Sequence, residues 1–369
     1  MKKLSIPLIL STLGLIALTA CSTTNAKKES SGKPNPIKTA VAKALGNLRA
    51  DEDMLTVLNA HASLNPKAIE KVDVATARQN TTIADAVNVV LKQQGKRTSP
   101  ESLVPGVTAK DITVKGAVGN LPATLYTPSG AGPFPVIVYY HGGGWVIADR
   151  KVYDGGARGL AKAANAIVVS VDYRQAPEHK FPASWDDSLA AYKWTLTNAK
   201  TFKGNPKLVA LAGESAGGNL AIATAIAARD AGIQAPKHVL AVYPITQSST
   251  NTASYIENAV AMPLNRAMME WFFDKTVRSE ADLKDPRIQL IDANLKGLPS
   301  VTLINARIDP LRSDGEKMED ALQKAGVQVE RRDYEGVTHE FFGTAAVVQK
   351  AKDAQMYAGE RLKQAFLTQ

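Results

Sequence analysis

Leu208-Val209-Ala210-Leu211-Ala212 runs into Gly213-Glu214-Ser215-Ala216-Gly217, and an Ala/Ile-rich stretch over 219–228 follows. Five consecutive apolar residues ending at a glycine suit a strand buried on both faces. The Ala-rich stretch suits a helix. Only the turn 213–217 remains between them, so strand must pass sharply into helix. A G-x-S-x-G turn of this kind holds its serine on strained backbone at the strand's end. Small neighbours let strand and helix approach closely, and the helix N-terminus favours negative charge developing in front of the serine. The pattern fixes three positions in five, which an ordinary glycine-rich turn also satisfies. The surrounding chain decides between the two.

Upstream, 135–140 is another continuous apolar run, and it ends in His141-Gly142-Gly143-Gly144-Trp145. Three glycines after a buried strand expose several backbone N–H groups, which can donate to an oxyanion. This loop precedes the serine turn by about seventy residues, a spacing that suits the two acting together. An apolar, β-branched run at 166–171 and further strand segments at 238–243, 301–305 and 328–334 alternate with helical patterns at 154–164, 184–198, 216–230, 313–325 and 344–366. Strand–helix alternation implies a mainly parallel sheet with helices on both faces. The segments 111–115 and 121–126, joined through a Gly-containing turn, suit an antiparallel pair at its edge. Ligands of such sheets bind beyond the carboxyl ends of the strands. The glycine loop and Ser215 both sit there.

On these residues, with Asp172-Tyr173-Arg174, Ala176-Pro177-Glu178-His179, Asp309-Pro310-Leu311-Arg312 and His339, the chain resembles the hormone-sensitive-lipase group of α/β-hydrolases over roughly residues 60–365. The resemblance implies an α/β-hydrolase fold: a mostly parallel eight-stranded sheet, helices on both faces and a helical cap. It also implies a bacterial carboxylesterase acting on short- to medium-chain acyl esters. The group's usual turn has Asp after its first glycine, and here Glu214 is one methylene longer.

A serine nucleophile needs a base, which in turn needs a carboxylate. In this fold the chain order is serine, acid, histidine. Two histidines follow Ser215. His238 opens an expected strand and so lies at the wrong end of the sheet. His339 follows the last strand at the right end and is assigned as base. The acid should follow the strand 301–305, and Asp309 is the candidate, biased toward extended backbone by Pro310. The next helix has its own start signal in Ser313-x-x-Glu316, a capping box, which leaves Asp309 free. Asp314 competes, with a favourable charge in the first helical turn as its alternative use. Amides of Gly142, Gly143 and Ala216 are assigned to the oxyanion hole. His141 is expected to orient the glycine loop, His179 to pack beside prolines, and His61 to be a surface or packing residue. No metal-ligand spacing and no phosphate-binding glycine loop is present, so no cofactor and no metal are expected. The same residues would serve an amide or N-acyl hydrolase, and a non-catalytic lipid-anchored binding protein would need none of them together.

The chain has 369 residues, 45% hydrophobic and 21% charged, the composition of a globular protein with a substantial core. Residues 1–20 carry Lys2, Lys3 and an apolar stretch too short to span a bilayer. Leu18-Thr19-Ala20-Cys21 resembles a bacterial lipobox, the alternative being an ordinary secretory signal with a chance cysteine. Cys21 is the only cysteine, so no intrachain disulfide can form. These features predict a lipoprotein signal peptide over 1–20, acyl chains on Cys21 anchoring the chain to a membrane, a flexible tether over 21–36, and a bacterial cell-envelope location facing the periplasm from the outer membrane. Removing the leader lowers the net charge from +9 to +7. The basic residues are scattered, which argues against a nucleic-acid partner and leaves a small-molecule ester as the expected one. Within the hydrolase domain 37–369, helices are expected over 37–48 and 81–91. The segments 37–100 and about 246–296 either cap the site or pack on the core. Tyr255, Met262, Trp271, Phe272 and Phe273 in the second segment suit a lid lining an acyl pocket or core packing of the cap, and core packing is the better reading of each residue taken singly.

Overall fold

The computed structural model describes residues 49–367. The expected leader, Cys21, the tether and the helix over 37–48 lie outside the described residues. Among the described residues, eight strands form one sheet: β1 (Val107–Lys115), β2 (Asn120–Pro128), β3 (Phe134–Tyr140), β4 (Ile167–Val171), β5 (Gly204–Glu214), β6 (Val239–Val242), β7 (Val301–Ile308) and β8 (Val329–Thr338). Their spatial order is β1-β2-β4-β3-β5-β6-β7-β8. The β1–β2 and β2–β4 pairs are antiparallel, and every later pair is parallel. All eight expected strands are present, and β5 runs straight into the serine turn.

The sheet is buried on both faces because its central strands carry continuous apolar runs rather than alternating ones. The pleat sends successive side chains to opposite sides. Val136, Val138 and Tyr140 of β3, with Val209 and Leu211 of β5, enter one core. Ile137 and Tyr139, with Ala210 and Ala212, enter the other. The main helices are α1 (Glu52–Ser63), α2 (Ile83–Gln93), α3 (Asp154–Ala164), α4 (Ala183–Asn198), α5 (Ala216–Asp230), α6 (Arg266–Thr276), α7 (Arg312–Lys324) and α8 (Gln349–Leu367). Helices α4, α5, α6 and α7 contribute to the first core, and α1, α2, α3 and α8 to the second.

Three local expectations change. Helix α1 has no counterpart in the sequence reading. The last helix begins at Gln349 rather than 344, because 341–344 form a separate 3₁₀ turn. The expected capping box at Ser313 and Glu316 does not form. Helix α7 starts one residue earlier, at Arg312, with Leu311 as its N-cap. Ser313 Oγ instead accepts from Ser254 N at 3.2 Å, while Ser313 N donates to Ser254 Oγ at 3.0 Å, and Glu316 pairs with Arg312 at 3.3 Å. A neighbouring segment, rather than the local sequence pattern, satisfies this helix end. Helix α2 does begin with a capping box, between Thr82 and Asp85. Among the described residues no helix is long and apolar enough to cross a membrane.

Candidate active site

Ser215 sits between β5 and α5 at φ +57° and ψ −117°. For a residue with a side chain this conformation costs on the order of 1–3 kcal/mol, and it persists only where the surroundings impose it. Here Ser215 N donates to Val242 O at 2.8 Å, and Ser215 O accepts from Asn219 N and Ile245 N at 3.2 and 3.3 Å. Asn219 adds its side chain, donating to Ile245 O and Arg287 O at 3.0 Å each and accepting from Trp185 Nε1 at 3.0 Å. The flanking glycines are sterically required. A Cβ at Gly213 would lie 2.1 Å from Gly217 O, and one at Gly217 would lie 1.9 Å from Tyr140 O.

The structure brings Ser215, His339 and Asp309 together across 124 and 30 residues of chain. Ser215 Oγ is 3.0 Å from His339 Nε2, and His339 Nδ1 is 2.7 Å from Asp309 Oδ2. All three are buried. An ionised carboxylate only accepts, so Nδ1 carries the proton and Nε2 is left to accept from the serine. Burial pulls the His339 pKa down, but the charge and hydrogen bond of Asp309 more than offset this and leave it above the ordinary 6.5. Asp309 is itself fixed: Leu311 N donates to its Oδ1 at 2.8 Å.

The competing acid is engaged elsewhere. Asp314 accepts from Thr246 N at 3.1 Å and Gln247 Nε2 at 3.0 Å, and burial pushes its pKa up to about 7. His238 is buried at the start of β6, between the hydroxyls of Ser300 (2.7 Å) and Thr302 (3.0 Å), and burial lowers its pKa to about 3.

The glycine loop is clamped by its carbonyls. Gly142 O faces His141 Nδ1 at 2.8 Å, Gly143 O accepts from Val146 N and Ile147 N, and Gly144 O accepts from Thr276 Oγ1 at 3.3 Å. Gly143 and Gly144 take φ of +94° and +59°, which turns successive peptides over. No acceptor among the described residues takes a hydrogen bond from the amides of Gly142, Gly143 or Ala216. His141 stacks on Tyr173 at 4.4 Å, and Tyr173 Oη donates to His141 O at 2.8 Å. The other motif residues brace the same region. Asp172 pairs with Arg150, Arg174 with Asp187, and Glu178 with Arg78.

A cavity of about 230 Å³ lies over Ser215 and His339. One wall comes from residues 61–83 and another from 262–272; Met262 and Phe272 line it. Tyr255, Trp271 and Phe273 pack into the core instead. Sequence reasoning missed the groups behind the serine. Glu214 is buried and accepts from the hydroxyls of Tyr139 and Tyr243, and the Tyr243 ring lies 4.4 Å from that of His339. Burial raises the Glu214 pKa to about 7 against the pull of the two phenols. Tyr153 donates to Glu340 at 2.5 Å nearby. Only the unusual Glu214 signalled this cluster in the sequence. Among the described residues no group of three or more His, Cys, Asp or Glu side chains is arranged to hold a metal ion.

The chain is similar to known proteins over most of its length. A carboxylesterase of Mycobacterium tuberculosis, NlhH, is 37% identical over 291 residues, covering 77% of this chain and 91% of the relative. An ethyl acetate hydrolase of Pseudomonas putida is 28% identical over 317 residues, covering 82% and 99%. The solved esterase of Pyrobaculum calidifontis superposes with a TM-score of 0.75 at 32% identity, over 84% of this chain and 98% of that one. The family model described as the alpha/beta hydrolase fold matches residues 137–343, from within β3 to the turn after His339. With the sheet order, the serine turn and that match in agreement, the chain belongs to the α/β-hydrolase fold family.

Proposed function

We propose that this chain is a serine carboxylesterase that cleaves short- to medium-chain acyl esters through an acyl-enzyme on Ser215. The observation that carries the reading is the unbroken relay from Asp309 through His339 to Ser215 beneath the cavity. His339 Nε2 takes the Ser215 proton as Oγ attacks the ester carbonyl. The amides of Gly142, Gly143 and Ala216 receive the oxyanion. As the carbon–oxygen bond breaks, His339 returns the proton to the leaving alcohol. A water activated by the same imidazole then releases the acid. Asp309 keeps the ring in the working tautomer throughout.

The cavity over Ser215, about 230 Å³, is the space a small ester would enter. Residues 61–83 and 262–272 act as the cap over that space. The curated relatives carry the names carboxylesterase and ethyl acetate hydrolase, and carboxylic ester hydrolysis is the activity of this chain. Ser215→Ala should lose hydrolysis of p-nitrophenyl butyrate and labelling by a fluorophosphonate. Undiminished turnover by the variant overturns the assignment. An acyl-chain-length series should peak within the cavity's capacity.

The lipobox at 18–21 supports a second, separate reading: acyl chains on Cys21 hold the enzyme on a membrane of the bacterial envelope. Labelled palmitate should enter the parent chain and not Cys21→Ala. Equal labelling of both refutes it.

A further inference from the structure

Glu340 follows the base directly in the chain and lines the same cavity as Ser215 and His339. Its backbone is left-handed, with φ +69° and ψ 4°. Glycine takes this conformation freely, whereas a residue with a side chain is strained there. A glutamate in such a place calls for a reason in what its carboxylate does. One oxygen, Oε1, accepts from Tyr153 Oη at 2.5 Å. Tyr153 lines the cavity as well and packs against the oxyanion glycine: a Cβ on Gly142 would lie 2.2 Å from its Oη. The other oxygen, Oε2, takes no hydrogen bond among the described residues and keeps accessible surface. The carboxylate thus joins the turn carrying the base to the glycine loop, with one oxygen fixed and the other open.

Among the described residues no Lys or Arg pairs with Glu340. Of the other charged residues in the lining, Arg78 pairs with Glu178 at 2.7 Å, and Lys67 and Glu70 carry opposite signs three residues apart. Left alone, the charge on Glu340 opposes the oxyanion that forms at the amides beside it. An ammonium group on the substrate would remove that opposition. It would meet Oε2 as a counter-ion, and the rings of Tyr153 and Phe272 in the same lining as cation–π partners. Phe272 lies directly on the glycine loop, with a ring carbon 2.2 Å from where a Cβ on Gly144 would be. We propose that Glu340 is a specificity-determining residue that recognises a cationic group, so that the preferred substrates are esters carrying an ammonium near the scissile bond. This rests on the ester-hydrolase reading of Ser215.

The test compares two esters of nearly the same shape, one charged and one neutral: 2-(trimethylammonio)ethyl acetate and 3,3-dimethylbutyl acetate. Acid release by the full chain is followed by pH-stat at low ionic strength and corrected for each ester's alkaline hydrolysis rate. The parent should favour the ammonium ester by about fivefold or more in kcat/KM, as one partly exposed ion pair and a cation–π contact together supply. Added salt should shrink the preference. Glu340→Gln keeps the shape and the bond from Tyr153 but loses the charge, and should lower the ratio by at least about threefold. If that variant fails to fold, Glu340→Gly, which suits the left-handed backbone, must do the same. A merely structural role for Glu340 would slow both esters alike and leave the ratio where it was. A smaller parent ratio, or one that the variants leave unchanged, overturns the proposal. If a fluorophosphonate labels Ser215 while the ratio is near one, or while neither ester is turned over, this inference alone falls. Absence of both labelling and turnover overturns the ester-hydrolase reading and this proposal with it.

Discussion

Replacing Glu214 by glutamine should stabilise the protein, and increasingly so as pH rises. The carboxyl is 1% exposed and accepts from Tyr139 and Tyr243. Burial, resisted by the two phenols, raises its pKa from 4.5 to about 7. Below pH 4.5 the group is protonated in folded and unfolded chains alike, and it leaves stability untouched. Between 4.5 and about 7 the unfolded chain gives up its proton first, so stability falls. Above about 7 both states are ionised and the whole difference applies. At 1.36 kcal/mol per pH unit this is ~3 kcal/mol. Glutamine is nearly isosteric and neutral at every pH. Whatever fixed cost its amide brings in the phenol pair, the Glu214→Gln variant should gain about 2–3 kcal/mol on the parent between pH 5 and pH 8. Asp314, also raised to about 7, titrates in both proteins and cancels. Urea unfolding of parent and variant at pH 5, 6, 7 and 8 measures the difference directly. A gap that stays constant with pH, or a parent that gains on the variant toward pH 8, would refute the reasoning. Either result would mean that the phenols stabilise an ionised Glu214.

Four further outcomes are expected. Asp309→Asn should lower kcat by about 10⁴-fold, because the amide cannot hold His339 Nδ1–H and the ring takes the wrong tautomer. Asp314→Asn, whose side chain meets Thr246 and Gln247 instead, should cost under ~10-fold; equal losses in p-nitrophenyl butyrate turnover would remove the distinction. Because the base must be neutral, kcat/KM should fall on the acid side through a pKa above 6.5, the direction in which Asp309 moves His339; a limb well below 6.5 contradicts this. Gly217→Ala puts a Cβ 1.9 Å from Tyr140 O, a backbone atom that cannot swing aside, so it should lose more than about 3 kcal/mol of stability or fail to fold. An unchanged melting temperature would show that α5 can retreat from β3.

Much of the molecule was legible because the relevant physics is local. A strand buried on both faces reads as a continuous apolar run, and 135–140 and 208–212 carry that mark in one dimension. The close passage of α5 over the sheet demands glycines beside Ser215, so the turn is written as G-x-S-x-G. Chain order and sheet polarity singled out His339 over His238, because an imidazole at the amino end of β6 cannot reach a serine at the carboxyl end of β5.

Contacts between distant segments were not legible. Asp309 and Asp314 are both acids beside the start of one helix, and only their surroundings separate them: His339 meets one, Thr246 and Gln247 the other. Ser313 carried a capping pattern, but Ser254, 59 residues away, takes its hydrogen bonds. His61, read as a surface or packing residue, is buried and lines the cavity. Glu214 stood out by its identity alone; that two tyrosines from β3 and the end of β6 close on it depends on neighbouring strands lying about 5 Å apart in the sheet. The amino-acid sequence by itself determined which segments become strands, where the chain bends and which residue types can react. Tertiary packing decided which carboxylate faces the imidazole and which acids are held near neutrality, because desolvation and hydrogen bonding depend on neighbours in space rather than along the chain.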